Sequence, residues 1–140
     1  GDTVNLAARL EPAAKLYGVY IFVGENIYKA TNDEYVFRFL DFLSVKGKNI
    51  PVRAYELIDI KDQINKTSLE LIETFEKGLD FYFNQDWENA LEYFEKSKLL
   101  EDDFTGRNTN PSQVFIKRCN HFSMNPPPDD WDGVWRMTTK

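Results

Sequence analysis

Apolar positions recur at different periods along this chain, and each change of period marks a change of element. Near the start, Leu6 and Leu10 share a face at i, i+4, with Val4, Ala7 and Ala8 as small packing surfaces. That spacing predicts a helix, capped by Asp2 or Thr3. Pro12 lacks a backbone donor and predicts a kink or break near Glu11. The helical pattern resumes from Ala14 to Tyr17 and stops at Gly18. Tyr20 to Val23 then reads as a short buried strand and Glu25 to Ala30 as a short helix. Tyr35 to Val45 is rich in aromatic and β-branched residues, the composition of a long strand. Its two-residue alternation fails around Asp41, which predicts a bulge there. Lys46-Gly47-Lys48-Asn49 is turn chemistry, and Val52 to Ile58 is a further strand. The two long strands should form an antiparallel hairpin.

The period then returns to that of a helix. Thr67-x-x-Glu70 has the form of a capping box, and Leu71, Phe75, Leu79 and Tyr82 make one stripe. After Asn84-Gln85-Asp86, where Asp86 can cap, Trp87, Ala90, Leu91 and Phe94 make a second stripe. So short a connection predicts an antiparallel helical pair, residues about 67–83 and 86–100. Gly78, Ala90 and Phe94 stand at offsets that resemble a tetratricopeptide repeat, with the closest crossing expected at Gly78 and Ala90. The proline that usually ends such a repeat is replaced by Asp102. Asn110 and Pro111 then start a short helix to about Phe122, with Phe115, Cys119 and Phe122 on one face. The run Asn125-Pro126-Pro127-Pro128 ends it, and Trp131 and Trp135 should anchor the tail to the body. The fold class is therefore α+β: residues 1–60 mix a helix with strands, 61–103 are a helical hairpin, and 104–140 are a short helix and a Pro/Trp-rich tail.

Composition narrows the function classes. The chain has 140 residues, 42% of them hydrophobic and 15% aromatic, which is folded rather than disordered composition. Its net charge is −6, the wrong sign for nonspecific nucleic-acid binding. No apolar run approaches the ~20 residues of a membrane span. One cysteine excludes an internal disulfide, and with one histidine beside it a Cys/His zinc site is not expected. Cys119 reads as a core residue.

The candidate chemistry lies in residues 1–58. Asn5 and Arg9 are four apart and share a helix face, so an amide and a guanidinium project side by side. Gly1-Asp2-Thr3-Val4-Asn5-Leu6-Ala7-Ala8-Arg9 resembles the signature helix of the class III nucleotide cyclases. Phe42-Leu43-Ser44-Val45-Lys46-Gly47-Lys48 resembles that family's Lys-Gly-Lys turn after a long strand, and the flanking Arg38 to Asp41 and Val52 to Leu57 are similar too. The resemblance implies a truncated ferredoxin-like cyclase domain. It implies that Asn5 orients the ribose, Arg9 stabilises the transition state and Lys46 binds the terminal phosphates of ATP. It also implies Mg²⁺ or Mn²⁺ held by carboxylates upstream of Gly1, and a head-to-tail homodimer in which a second cyclase subunit completes the site. On this expectation the chain is a piece of a longer adenylate cyclase, inactive alone and cytoplasmic, whose parent can be membrane-anchored upstream. The run Trp87 to Leu91, then Arg118-Cys119, then Pro127 to Val134, is similar to the C-terminal extension of some bacterial cyclases.

Plainer readings stand beside these. Out of context, Asn5 and Arg9 are surface polar residues, and Lys46 is a solvated turn lysine, as Lys48 is read to be. Asp2 reads as a cap, and Asp129, Asp130 and Asp132 as a solvated acidic turn without the spacing of a calcium loop. The Trp87–Phe94 stripe reads as hairpin packing rather than a partner groove. Guanylate cyclase, or a non-catalytic interaction module of the tetratricopeptide type, are the rival functions.

Overall fold

The computed structural model describes residues 11–136. Residues 11–17 are helical (α1) and are followed by β1 (Phe22–Gly24), α2 (Glu25–Thr31), β2 (Tyr35–Leu43) and β3 (Val52–Ile60). A 3₁₀ turn, Lys61–Gln63, leads to α3 (Lys66–Phe83), α4 (Trp87–Lys98) and α5 (Pro111–Met124). The expected caps at Asp2 and Thr3, and the helix expected up to Leu10, lie outside the described residues.

The chain's stop signals act as expected. At Gly18 the backbone takes φ +77, and its N–H donates to the carbonyl of Ala14 at 2.9 Å, closing α1. No side chain fits there, because a Cβ on Gly18 would stand 1.9 Å from the carbonyl oxygen of Thr109. Asp86 caps α4 by accepting from the Asn89 N–H, and Asn110 caps α5 by accepting from the Gln113 N–H. The start of α3 differs from expectation: Asn65, not Thr67, caps it, accepting from the Ser68 N–H at 2.8 Å. Asn65 holds extended backbone with a short acceptor, whereas Thr67 already lies inside the first turn. The first strand also begins later than expected, because Tyr20 and Ile21 are exposed and Tyr20 stacks on Phe104 at 4.4 Å.

The three strands form an antiparallel sheet in the order β1-β3-β2. Its two faces carry different cargo. On one face Val23, Phe37 and Tyr55 pack with Tyr28 of α2, whose ring stacks on Tyr55 at 4.0 Å. On the other face Phe22, Leu40 and Ala54 join a larger core with Ala14, Tyr17, Phe75, Leu79, Tyr82, Phe94, Phe115 and Phe122. That core draws on the sheet, the helical pair and α5 together. Phe75, Leu79 and Tyr82 of the first predicted stripe and all of the second point into it, and Phe94 lies over Gly78, where a Cβ would stand 2.8 Å from the ring. Gly78 is thus a packing requirement in mid-helix, which offsets its roughly 1 kcal/mol propensity cost.

The bulge expected near Asp41 is present. Phe39 pairs with Tyr55 and Asp41 with Ala54, so Leu40 is the extra residue. In a regular strand, residues three apart point to opposite faces. The extra residue resets that phase, so Arg38 and Asp41 both enter the larger core face, where each is 1% exposed.

Candidate functional site

Of the three residues singled out in the sequence, Asn5 and Arg9 lie outside the described residues. Lys46 lies in the turn between β2 and β3. The Lys48 N–H donates to the Val45 carbonyl at 3.0 Å, which makes Val45 to Lys48 a four-residue turn. Gly47 occupies its third position with φ +87, where only a residue tolerant of positive φ fits without strain. Lys46 precedes it and is exposed, as are Lys48, Asn49 and Ile50. Among the described residues no carboxylate is paired with Lys46. The turn therefore offers an exposed ammonium at the tip of a long hairpin that no described carboxylate holds, a point charge suited to phosphate.

The root of the same hairpin is built differently, and the sequence reading missed its content. Arg38 is fully buried between two carboxylates. Its Nη2 and Nε donate to Glu56 Oε1 at 2.5 and 2.9 Å, and its Nη1 donates to Glu101 Oε2 at 2.8 Å. Glu101 also accepts from the Ser112 N–H at 3.0 Å and the Ser112 hydroxyl at 2.7 Å, at the first turn of α5. Burial pushes the Glu56 carboxyl above its ordinary range, against the pull of Arg38. A cleft of about 180 Å³ opens beside this cluster, with Tyr20, Leu71 and Phe104 in its wall.

A second cluster stands three residues along. Arg118 Nη1 of α5 donates to Asp41 Oδ2 at 2.8 Å, and the Tyr17 hydroxyl donates to the same oxygen. Arg118 also lies over the rings of Phe115 at 4.6 Å and Trp135 at 5.1 Å. Burial pushes the Asp41 carboxyl up, and burial together with Asp41 pushes the Tyr17 hydroxyl up. Neither arginine is available to a substrate, since each is enclosed and spent on carboxylates. Cys119 is buried as expected, its thiol pushed up to about 12 by burial, so it carries no nucleophilic chemistry.

The only signals of these clusters in the sequence are charges inside apolar strands: Arg38 between Phe37 and Phe39, and Asp41 at the failed alternation. Their partners Glu101 and Arg118 lie 63 and 77 residues away, beyond any local pattern. Among the described residues no group of three or more His, Cys, Asp or Glu is placed to hold a metal ion. Among them, too, no helix is long and apolar enough to cross a membrane.

Comparison with known proteins relates the chain to segments of two much longer ones. It is 32% identical over 124 residues to a Dictyostelium discoideum protein named adenylate cyclase, terminal-differentiation specific; the match covers 85% of this chain and 6% of that protein. It is 33% identical over 67 residues to adenylate cyclase 1 of Rhizobium meliloti (strain 1021), covering 48% of this chain and 10% of that protein. The chain thus spans a small fraction of the length of the curated relatives it matches. No family model matches it, and no solved structure does.

Proposed function

We propose that this chain is the C-terminal part of a class III adenylate cyclase, which converts ATP to 3′,5′-cyclic AMP and pyrophosphate. The observation that carries this reading is the likeness to a protein named adenylate cyclase along most of this chain. The exposed side chain of Lys46 at the tip of the hairpin supports it.

In this reaction the ribose 3′-oxygen attacks the α-phosphorus, and pyrophosphate leaves. Negative charge gathers on the α-phosphoryl oxygens and the leaving group, so fixed cations lower the barrier. Arg9 neutralises the α-phosphoryl oxygens, Asn5 one helical turn away holds the ribose in line, and Lys46 holds the terminal phosphates. A divalent cation, Mg²⁺ or Mn²⁺, supplies further neutralisation when bound. The described residues do not fit it: Asp41, Glu56 and Glu101 are each taken by an arginine, so no metal-dependent step falls to them. The metal carboxylates come from outside this stretch, and a second subunit in a head-to-tail homodimer completes each site. α3 and α4 form a tetratricopeptide-like extension, and the whole segment works in the cytoplasm, where ATP is supplied.

The test is made on the complete protein. Arg9→Ala should lower turnover by roughly 10²-fold or more, the scale of losing one electrostatic donor, with a much smaller effect on nucleotide binding. Near-wild-type turnover would sink the role of Arg9. Cyclic GMP as the main product, with each nucleotide supplied in turn, would replace adenylate by guanylate cyclase.

A further inference from the structure

We infer that Arg118 is a positioning residue for the Lys46 turn, acting through Asp41, and that the helices beyond the sheet brace the hairpin. What the turn does for the reaction rests on the reading above; the brace itself does not.

The inference begins at the outer edge of β2. Among the described residues, in the order β1-β3-β2, this edge has no strand beside it. Helices occupy it instead, and they hold four consecutive residues by different means. The Phe39 N–H donates to Glu76 Oε2 of α3 at 2.9 Å. Leu40 is fully enclosed in the core shared with α3, α4 and α5. Asp41 is held by Arg118 at 2.8 Å and by Tyr17. Phe42 packs on Phe83 at 4.9 Å, and Gly133 of the tail sits so close that a Cβ there would stand 3.2 Å from its ring. β2 ends one residue later at Leu43, and Lys46 stands three beyond that.

A side chain at a solvated tip has no contacts of its own to fix it. Its place is set by the last restrained residues of the strand that carries it. Of those restraints the Asp41–Arg118 pair is the most directional: an arginine donor meets one buried carboxylate oxygen that also accepts from a phenol. The bulge at Leu40 turns Asp41 to this face and so makes the pair possible.

The experiment uses the full-length protein with Arg118→Lys, which keeps the charge but loses the guanidinium geometry. Tyr17→Phe, which keeps the ring and removes one donor to Asp41, is the second variant should the first fold poorly. Hydrogen exchange of the amides of residues 43–52 should quicken about tenfold, while those of α2 on the opposite face keep their wild-type rates. In the kinetic arm, Arg118→Lys should raise KM for ATP by roughly tenfold with a smaller change in kcat, and add nothing further in a Lys46→Ala background. Wild-type exchange in the turn in both variants overturns the brace. So does quickening spread equally over α2, which would mark Arg118 as generally structural. Faster exchange in the turn, with KM unmoved by Lys46→Ala itself, upholds the brace and removes Lys46 from the site.

Discussion

The two buried charge clusters on β2 lie three residues apart and are balanced in opposite ways. Around Arg38 two carboxylates share one guanidinium, so Glu56 and Glu101 stand in for each other. Around Asp41 one carboxylate has one guanidinium and one phenol, and among the described residues no second cation shares it. The first cluster is redundant and the second exclusive. Redundancy makes a joint tolerant of losing a member, and exclusivity makes it brittle. The brittle joint is the one nearer the exposed turn.

The largest effect should come from breaking the exclusive cluster. Arg118→Met leaves Asp41 buried without its cation, and the expected loss is about 3–5 kcal/mol of unfolding free energy. Denaturant titration of the purified variant measures it, and a loss below that of the Glu56 variant would erase the contrast.

Glu56→Gln should cost less, about 1–3 kcal/mol at neutral pH, because Arg38 keeps Glu101. This variant also reveals the excess charge. The Glu56 carboxyl is raised by burial, so between its ordinary value and its folded value the folded state holds a proton that the unfolded chain lacks. Its contribution is complete below the unfolded value and is lost as pH rises through the folded one. Lowering the pH through that window should therefore stabilise the parent relative to Glu56→Gln, with a slope of up to about 1.4 kcal/mol per pH unit. Unfolding curves that run parallel across the window would contradict the raised carboxyl.

The smallest change sharpens the same contrast. Ser112→Ala removes one of several donors to Glu101, and the expected cost is about 1 kcal/mol or less, with Arg38 still doubly held. A thermal melt resolves so small a difference, and a loss comparable to that of Arg118→Met would show that the Arg38 cluster is not redundant.

What the sequence disclosed followed the range of the interactions involved. The hairpin, the Gly18 stop, the caps at Asp86 and Asn110 and the stripe from Leu71 to Tyr82 were legible, because each depends on neighbours within a few residues. Even the bulge was, since Asp41 breaks a local alternation. Its meaning was not legible, because Arg118 approaches Asp41 only once α5 has packed beneath the sheet. Arg38 showed the same limit: its place in a strand was readable and its partner Glu101 was not. The cap at Asn65 was missed for a different reason. Thr67 and Glu70 satisfy a capping-box spacing, yet an Asn two residues earlier was available to start the helix first. For the candidate site, Lys46 falls on an exposed turn as its neighbours Gly47 and Lys48 indicate, while Asn5 and Arg9 rest on the sequence pattern alone.

The placing of the tryptophans gives this molecule a built-in optical gauge. All three, Trp87, Trp131 and Trp135, gather around Phe122, at ring separations of 4.8, 5.2 and 5.1 Å, and residues 1–60 contain none. Trp135 lies under the guanidinium of Arg118, a cation against its indole face. Tryptophan emission therefore bypasses the strands and monitors the seam where the tail closes over α5. A tryptophan-free hairpin joined to so concentrated a tryptophan corner allows undocking of the tail, followed with excitation selective for tryptophan, to be timed separately from melting of the sheet, without introducing any label.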